Sequence, residues 1–351
     1  MWTPNVLVVL SEARAFPLTQ TVLSRLPDVP VVEVKTEAEL SPYLSDKKSL
    51  ILRPIKGALL KACPGTTAYR CCGYQILNTG LNCGFDCTYC ILQDYLEIPA
   101  QTVFVDLPEQ LEALKKQIQT EPLRQWRIGT GEYTDSLIHD PWTGLSGLLI
   151  NWVRDMPNVI LELKTKSIHV DELLRHMAPP NVVVAWSVNT VQVTKDLELG
   201  TPTLHQRLEA AKKVVDHGYS VAFHFDPIVP YTGFEPAYQQ VVKSILSIIP
   251  AYKIRWVSFG VLRFTKGMYD RFKRRSPKYL GEMILAPDQK WRFSRPLRIR
   301  AYQAVQLIFK QQAPNVYTYL CMESPQVWEA VYGIDHGSND VFEHAFNEAV
   351  Y

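Results

Sequence analysis

The chain has no low-complexity tract, no large charge excess and no long apolar run, and each absence narrows what it can be. Charged residues make up 21% and hydrophobic residues 47% of 351 positions. That composition excludes collagen-like and disordered chains and suits one large α/β domain, alone or with appendages. The net charge of +2 says nothing, as an average, about partners. The apolar run Val6–Leu10 is too short to cross a bilayer, has no basic segment before it, and is followed by Glu12 and Arg14. It lacks the form of a signal peptide, so the expectation is a cytoplasmic chain with no membrane association. Seven cysteines are an odd count in a long chain, which argues against a secreted disulfide framework. No second C-x2-C or H-x3-H pair is present to complete a zinc site.

What the chain does have is Asn82 to Gln93, with Cys83, Cys87 and Cys90 in a C-x3-C-x2-C spacing, Gly84 in the first interval and Tyr89 in the second. Three thiolates on one short loop suit a four-iron cluster, because each can cap one corner of the cube. Such clusters are normally held by four cysteines. A loop offering three leaves one iron without a protein ligand, and an open position is what a metal needs to bind substrate. The spacing resembles the signature of the radical S-adenosylmethionine (SAM) enzymes, C-x3-C-x-aromatic-C, with Tyr89 as the aromatic residue. The resemblance implies a [4Fe-4S] cluster whose open iron is chelated by SAM, cleavage of SAM to a 5′-deoxyadenosyl radical, and an electron donor such as flavodoxin or ferredoxin.

From Thr102 to Leu262 strands and helices alternate. Strands are expected at Val103–Val105, Arg127–Gly129, Val159–Leu163, Val182–Trp186, Val221–Phe225 and Trp256–Val261. Helices are expected near Pro108–Ile118, Gly144–Arg154, Val170–His176, Leu204–Asp216 and Ala237–Ile248. Apolar strands separated by helices of this length mean a parallel sheet covered by helices. Periodicity alone also admits an eight-stranded barrel or an open doubly wound sheet. The resemblance implies an α/β fold of the partial (β/α)6 TIM-like barrel type, with an N-terminal leader and a C-terminal extension. The expected divisions are residues 1–70 as leader, 71–262 as barrel core, and 263–351 as a basic extension that meets nucleic acid and caps the barrel. Cys63, Cys71 and Cys72 lie in a turn-rich stretch and read as buried, inert thiols.

The ends of the strands carry the polar residues. After Arg127–Gly129 comes Thr130-Gly131-Glu132-Tyr133-Thr134-Asp135, where Gly131-Glu132 matches the last two positions of the family's Gly-Gly-Glu contact to the SAM amino group. Lys164 follows Val159–Leu163 on a strand that should be buried on both faces, where a charge needs a partner or a ligand carboxylate. Ser187 and Asn189 share one face after the next strand, and His224-Phe225-Asp226 ends another. Tyr89, Gly131, Glu132, Lys164, Ser187 and Asn189 are the expected SAM contacts.

Within the radical SAM enzymes, Asn82–Gln93, Leu161–Ser167, Ser187–Asn189 and Asp226–Ile228 resemble the spore photoproduct lyase family, from about Cys71 onward. That family reverses a thymine dimer in DNA and returns a hydrogen to the lesion from a cysteine downstream of the cluster. Here no cysteine lies between Cys90 and Cys321, and Ile91 stands where the lyase has a tyrosine. Cys321 with Tyr319, or Tyr133, are the stand-ins available for that step.

Residues 263–300 contain twelve basic and three acidic residues, a charge of +9; subtracting it from the net +2 leaves −7 for the rest. Phe264, Tyr269, Phe272, Tyr279, Trp291 and Phe293 are interleaved. Cations that neutralise phosphates and aromatics that stack on bases are the composition of a nucleic-acid surface, with Arg271, Lys273, Arg274, Arg275, Lys278 and Arg292 as expected contacts. The expected function is a radical SAM lyase acting on DNA. The alternatives are a family member with a small-molecule or peptide substrate, and a nucleic-acid-binding protein with a structural or redox-sensing cluster.

Overall fold

The computed structural model describes residues 2–65, 68–96 and 98–351. The chain forms two compact units that alternate along the sequence: Met1–Ala62, Gln75–Phe85 and Tyr95–Val182 in the first, and Cys63–Tyr74, Asp86–Asp94 and Val183–Tyr351 in the second.

The first unit contains a five-stranded sheet in the order Val31–Val34, Val6–Leu10, Ser49–Arg53, Gln101–Phe104, Gly80–Leu81. Its first four strands pair in parallel, and Gly80–Leu81 pairs antiparallel. A second run places Val159–Thr165, Trp126–Gly129 and Gln75–Leu77 in parallel, with Leu60–Ala62 antiparallel at its edge. The helix Leu107–Gln119 starts with Pro108 in its first turn and buries Leu107, Leu111, Leu114 and Ile118, an i, i+4, i+7, i+11 stripe. It meets the helix Leu145–Val153, whose Trp152 indole donates to the Leu111 carbonyl at 2.9 Å.

Two expectations are corrected here. The strand expected at Val103–Val105 is not in line with Trp126–Gly129; it runs over Gln101–Phe104 beside Ser49–Arg53. Gln75–Leu77 takes the place next to Trp126–Gly129 instead. Apolar pattern locates strands but carries no information about long-range partners, and a three-residue strand in a turn-rich stretch gives almost no pattern. The helix expected at Val170–His176 is only a single 3-10 turn, Leu173–Arg175. Pro179 and Pro180 follow closely, and a residue before proline is driven out of the helical region.

In the second unit, Val182–Ser187, Ser220–Ile228, Ile254–Val261 and Tyr317–Leu320 pair in parallel in that order. Phe223, Phe225, Trp256, Val257 and Phe259 are fully buried, as strands covered on both faces should be. Helices Leu204–Asp216, Phe234–Ile248 and Arg295–Gln312 make the connections. The first of these begins with a reciprocal cap between Thr203 and Gln206. The closing helix Asn339–Val350 packs Phe342 and Phe346 against Tyr317, Tyr319 and Trp256. Parallel pairing brings Ser187, Asp226, Arg263 and Cys321 to the carboxyl edge of these strands, where ligands of such sheets bind. The basic stretch holds a small antiparallel sheet of Arg263–Phe264, Trp291–Phe293 and Met283–Leu285. Among the described residues no helix is long and apolar enough to cross a membrane.

Candidate active site

The three-cysteine loop is held by different groups on its two sides. In the first unit Asn82 has φ of 67°, and its side-chain amide donates to the carbonyls of Ile98 (2.6 Å) and Ala100 (2.8 Å). Gly84 is required, since a Cβ there would stand 2.7 Å from the Trp2 ring and 2.8 Å from Ile138. The Phe85 N–H points at the Cys83 sulfur, 3.5 Å away. In the second unit Asp86–Cys87 pairs antiparallel with Glu198–Leu199, and Thr88 N–H donates to the Leu197 carbonyl at 2.8 Å. Cys90 N–H and the Gln93 amide both donate to the Cys87 carbonyl, at 3.0 and 2.9 Å. Cys87 is buried, whereas Cys83 and Cys90 are half-buried.

Tyr89 is buried and donates its hydroxyl to the Glu198 carboxylate. Burial, then the Glu198 charge, pushes the phenol well above its ordinary value, so it acts only as a neutral donor. Glu198 also receives Arg207 at 2.5 Å, with both side chains almost fully buried. Arg207 donates further to the carbonyls of Ser187 (2.9 Å) and Pro202 (3.0 Å) and to the Thr201 hydroxyl (2.6 Å). Asp94, at the end of the loop, accepts from Arg271 at 2.7 Å and from the Thr265 hydroxyl, and Arg271 also reaches the Gln93 carbonyl at 2.8 Å. Gly267 makes room, because a Cβ there would stand 2.5 Å from the Asp94 carboxylate. Sequence reasoning missed Glu198, Arg207 and Asp94. Arg207 did leave a signal: it falls on the apolar stripe Leu204, Leu208, Ala211 of its helix.

In the first unit, Gly131 lets two strand ends approach, since a Cβ would lie 2.5 Å from the Lys164 Cβ and 2.8 Å from its carbonyl oxygen. Asp135 accepts from the Thr165 hydroxyl (2.6 Å), Lys166 N–H (2.7 Å) and Leu137 N–H (3.0 Å), so it organises this turn. Glu132 is half-buried and makes no hydrogen bond or ion pair among the described residues. Lys164 is also half-buried; the charge sealed within these strands is Glu162, paired with Arg127 at 2.8 Å. Tyr133 lies under the Lys61 ammonium, 6.0 Å from the ring centre.

In the second unit, Asn189 donates to Glu198 (3.3 Å) and the Pro227 carbonyl (3.0 Å), and accepts from Tyr238 (2.5 Å) and Thr190 N–H (3.1 Å). It joins the network beneath the loop. Ser187 is buried, and its hydroxyl has no hydrogen bond among the described residues. His224 meets the Ser258 hydroxyl at 2.6 Å inside the core. Tyr319 packs among Tyr317, Phe342 and Phe346, which is a setting for core packing rather than a relay. Cys321 lies one residue past its strand and is half-buried, as are Cys63, Cys71 and Cys72, which corrects the expectation of buried thiols there.

The basic residues separate by environment. Arg292 is 1% exposed, paired with Asp288 at 2.7 Å and stacked over Tyr69 at 4.1 Å. It holds the fold together and presents no charge to solvent, contrary to the expected phosphate contact. Arg271 is engaged with Asp94 at the end of the three-cysteine loop, and Lys278 with Asp196 at 2.5 Å. Lys273, Arg274 and Arg275, in the last turn of the helix Lys266–Arg275, are exposed and make no ion pair among the described residues.

Among the described residues no group of three or more His, Cys, Asp or Glu side chains is arranged to hold a single metal ion. A four-iron cube takes its thiolates at separate corners instead, and an N–H directed at a cysteine sulfur is the type of contact that tunes such clusters. The donor set fits that group.

A family profile described as spore photoproduct lyase matches residues 20–312. The spore photoproduct lyase of a Geobacillus species is 25% identical over 291 residues, covering 79% of this chain and 84% of the relative. The one from Bacillus subtilis is 27% identical over 199 residues, covering 56% and 58%. A solved spore photoproduct lyase complexed with dinucleoside spore photoproduct superposes with a TM-score of 0.77 at 22% identity, over 91% of this chain and 99% of that one. A variant of the lyase with bound AdoMet and dinucleoside spore photoproduct gives the same values. The mixed α/β architecture is the fold of these structures.

Proposed function

Because the chain belongs to the spore photoproduct lyase family, we propose that it is a radical SAM lyase that repairs thymine dimers in DNA. The observation that carries this reading is the family match over residues 20–312, which takes in the three-cysteine loop and the basic segment together. SAM and a [4Fe-4S] cluster, when bound, would supply a hydrogen-abstracting radical after one-electron reduction, by a donor such as flavodoxin or ferredoxin. Cys83, Cys87 and Cys90 would hold the cluster. Tyr89 fastens its side of the loop to Glu198 and Arg207, which would hold Cys87 and Cys90 in place. Glu132, with no hydrogen bond or ion pair among the described residues, suits the SAM amino group; Lys164 and the Ser187 hydroxyl suit its carboxylate and ribose. Gly131 and Asn189 act one step back, by spacing the strand ends and bracing the loop network. Lys273, Arg274 and Arg275 are the residues suited to DNA phosphates, and a lesion within a duplex must be flipped out to reach a radical in the site.

The hydrogen-return step differs from that of the family, because no cysteine lies between Cys90 and Cys321 and Ile91 replaces the tyrosine. The same two features favour a second reading, in which the radical acts on another substrate. The test is anaerobic reconstitution with iron and sulfide, then dithionite and SAM, with and without ultraviolet-treated spore-type DNA. The lyase reading expects 5′-deoxyadenosine in both samples and repaired thymine only with damaged DNA. Deoxyadenosine without thymine would move the search to other substrates. An intact, reducible cluster that yields no deoxyadenosine would overturn both readings.

A further inference from the structure

In the first unit the strands Gln75–Leu77 and Trp126–Gly129 are parallel neighbours, with Ile76 beside Gly129. Asn78 comes directly after the first strand and Gly131–Thr134 shortly after the second, so both lie at the carboxyl edge, where such sheets bind ligands. Neighbouring strands stand about 4.8 Å apart, so one small head group can reach both ends. The Asn78 backbone N–H donates to the Leu59 carbonyl at 2.8 Å. Its side chain has no such partner among the described residues. Asn78 is 8% exposed, yet its carboxamide oxygen is buried and accepts no hydrogen bond. Thr134 is 6% exposed, and its buried hydroxyl is left in the same state. Other polar groups of that turn are taken: Thr130 donates to Ser136 at 2.7 Å, and Asp135 accepts three bonds. A buried acceptor without a donor destabilises a fold, and native proteins retain few. Two such groups on one ligand-binding edge are the mark of a site that a ligand completes.

We propose that the Asn78 carboxamide oxygen is a second acceptor, beside Glu132, for the α-amino group of SAM. The assignment rests on the radical SAM reading of the site and adds a residue to it. An amine that binds iron through its nitrogen keeps two N–H groups, and each needs an acceptor once water is excluded. Glu132, half-buried and with no hydrogen bond or ion pair among the described residues, takes one. Asn78 takes the other. A neutral amide suits that place, because it accepts a hydrogen bond without setting a second negative charge beside Glu132. The oxygen that is unmet in the empty protein is then met only when an amino group is present, so Asn78 selects for the amino-acid end of SAM.

The test compares SAM with S-adenosyl-4-methylthiobutyrate, which lacks only the α-amino group, by equilibrium dialysis against the anaerobically reconstituted, unreduced protein. Asn78→Leu is expected to weaken SAM binding about tenfold and to leave binding of the desamino analogue unchanged. Because it removes an unmet buried acceptor, the same variant should unfold in urea at an equal or higher midpoint without ligand. Asn78→Ala, which removes the same oxygen without adding an apolar branch, should show the same selectivity between the two ligands. Equal weakening of both ligands would make Asn78 a packing residue, and unchanged SAM affinity would mean that its oxygen meets only water. Either result overturns the assignment. If the unaltered protein, with its cluster intact, binds no SAM, the radical SAM reading falls and the assignment with it.

Discussion

The second unit places arginines in two settings that look alike in sequence and differ in every physical respect. Around the three-cysteine loop, Arg207 is sealed against Glu198 and Arg271 is fixed on Asp94, each with two or more hydrogen bonds to the backbone or neighbouring side chains. A few residues beyond Arg271, on the last turn of the same helix, Lys273, Arg274 and Arg275 stand in solvent and make no ion pair among the described residues. The first group organises the protein; the second has its charge available. A count of +9 over residues 263–300 merges the two, because composition records charges and not their partners.

Breaking the sealed pair should have the largest effect. Removing one member of a buried ion pair leaves the other desolvated and uncompensated, at a cost of about 3–5 kcal/mol. Glu198→Ala should lower stability by that amount in urea unfolding, and should also release Tyr89 and with it the cluster loop. Iron retained after anaerobic reconstitution would fall in parallel. A variant that keeps full stability would show that Arg207 finds other acceptors.

A smaller effect separates the two settings directly. Arg271→Ala removes a partly exposed pair worth roughly 1 kcal/mol. It is expected to loosen the Asp94 end of the loop, reduce deoxyadenosine formation, and leave the salt dependence of DNA binding nearly unchanged. Arg274→Glu with Arg275→Glu should do the reverse: cluster content intact, and the slope of log affinity against log salt reduced by about two. Equal effects of both variants on salt dependence would abolish the distinction.

How much of this was legible in the sequence follows from how local each feature is. The C-x3-C-x2-C loop and the helices Leu204–Asp216 and Phe234–Ile248 rest on spacing within a few turns of chain, and spacing is what a sequence displays. The place of Gln101–Phe104 beside Ser49–Arg53 depends on contacts some fifty residues apart, and its apolar pattern fits either sheet. Polar and small residues at strand ends, as Asn189 and Gly131 are, often contact ligands. The fold uses them internally, one as a four-bonded hub and the other as a clearance under Lys164. Glu198 gave no sequence signal, because its importance comes from four partners that the sequence scatters from Tyr89 to Arg207.

Lys278 tests where the boundary between the two settings lies, since its side chain is 64% exposed yet stands 2.5 Å from Asp196. Hydrogen bonds from Lys278 and then Tyr279 hold the Asp196 carboxyl down to about 2, below its ordinary 3.8. A carboxyl depressed in the folded state binds its proton less readily than in the unfolded chain. Its contribution to stability is therefore full above about pH 4 and is lost as the pH falls toward 2. Solvent screening at so exposed a lysine limits that contribution to about 1 kcal/mol or less. Lys278→Ala should lower stability by that small amount at pH 6, with the difference shrinking at pH 3, as read by urea unfolding at both values. Its DNA salt slope should change by less than one, because an ammonium already neutralised by Asp196 releases fewer counterions on meeting a phosphate. A full unit of slope would instead place Lys278 with the exposed cations, and would mean that Asp196 yields it when DNA binds.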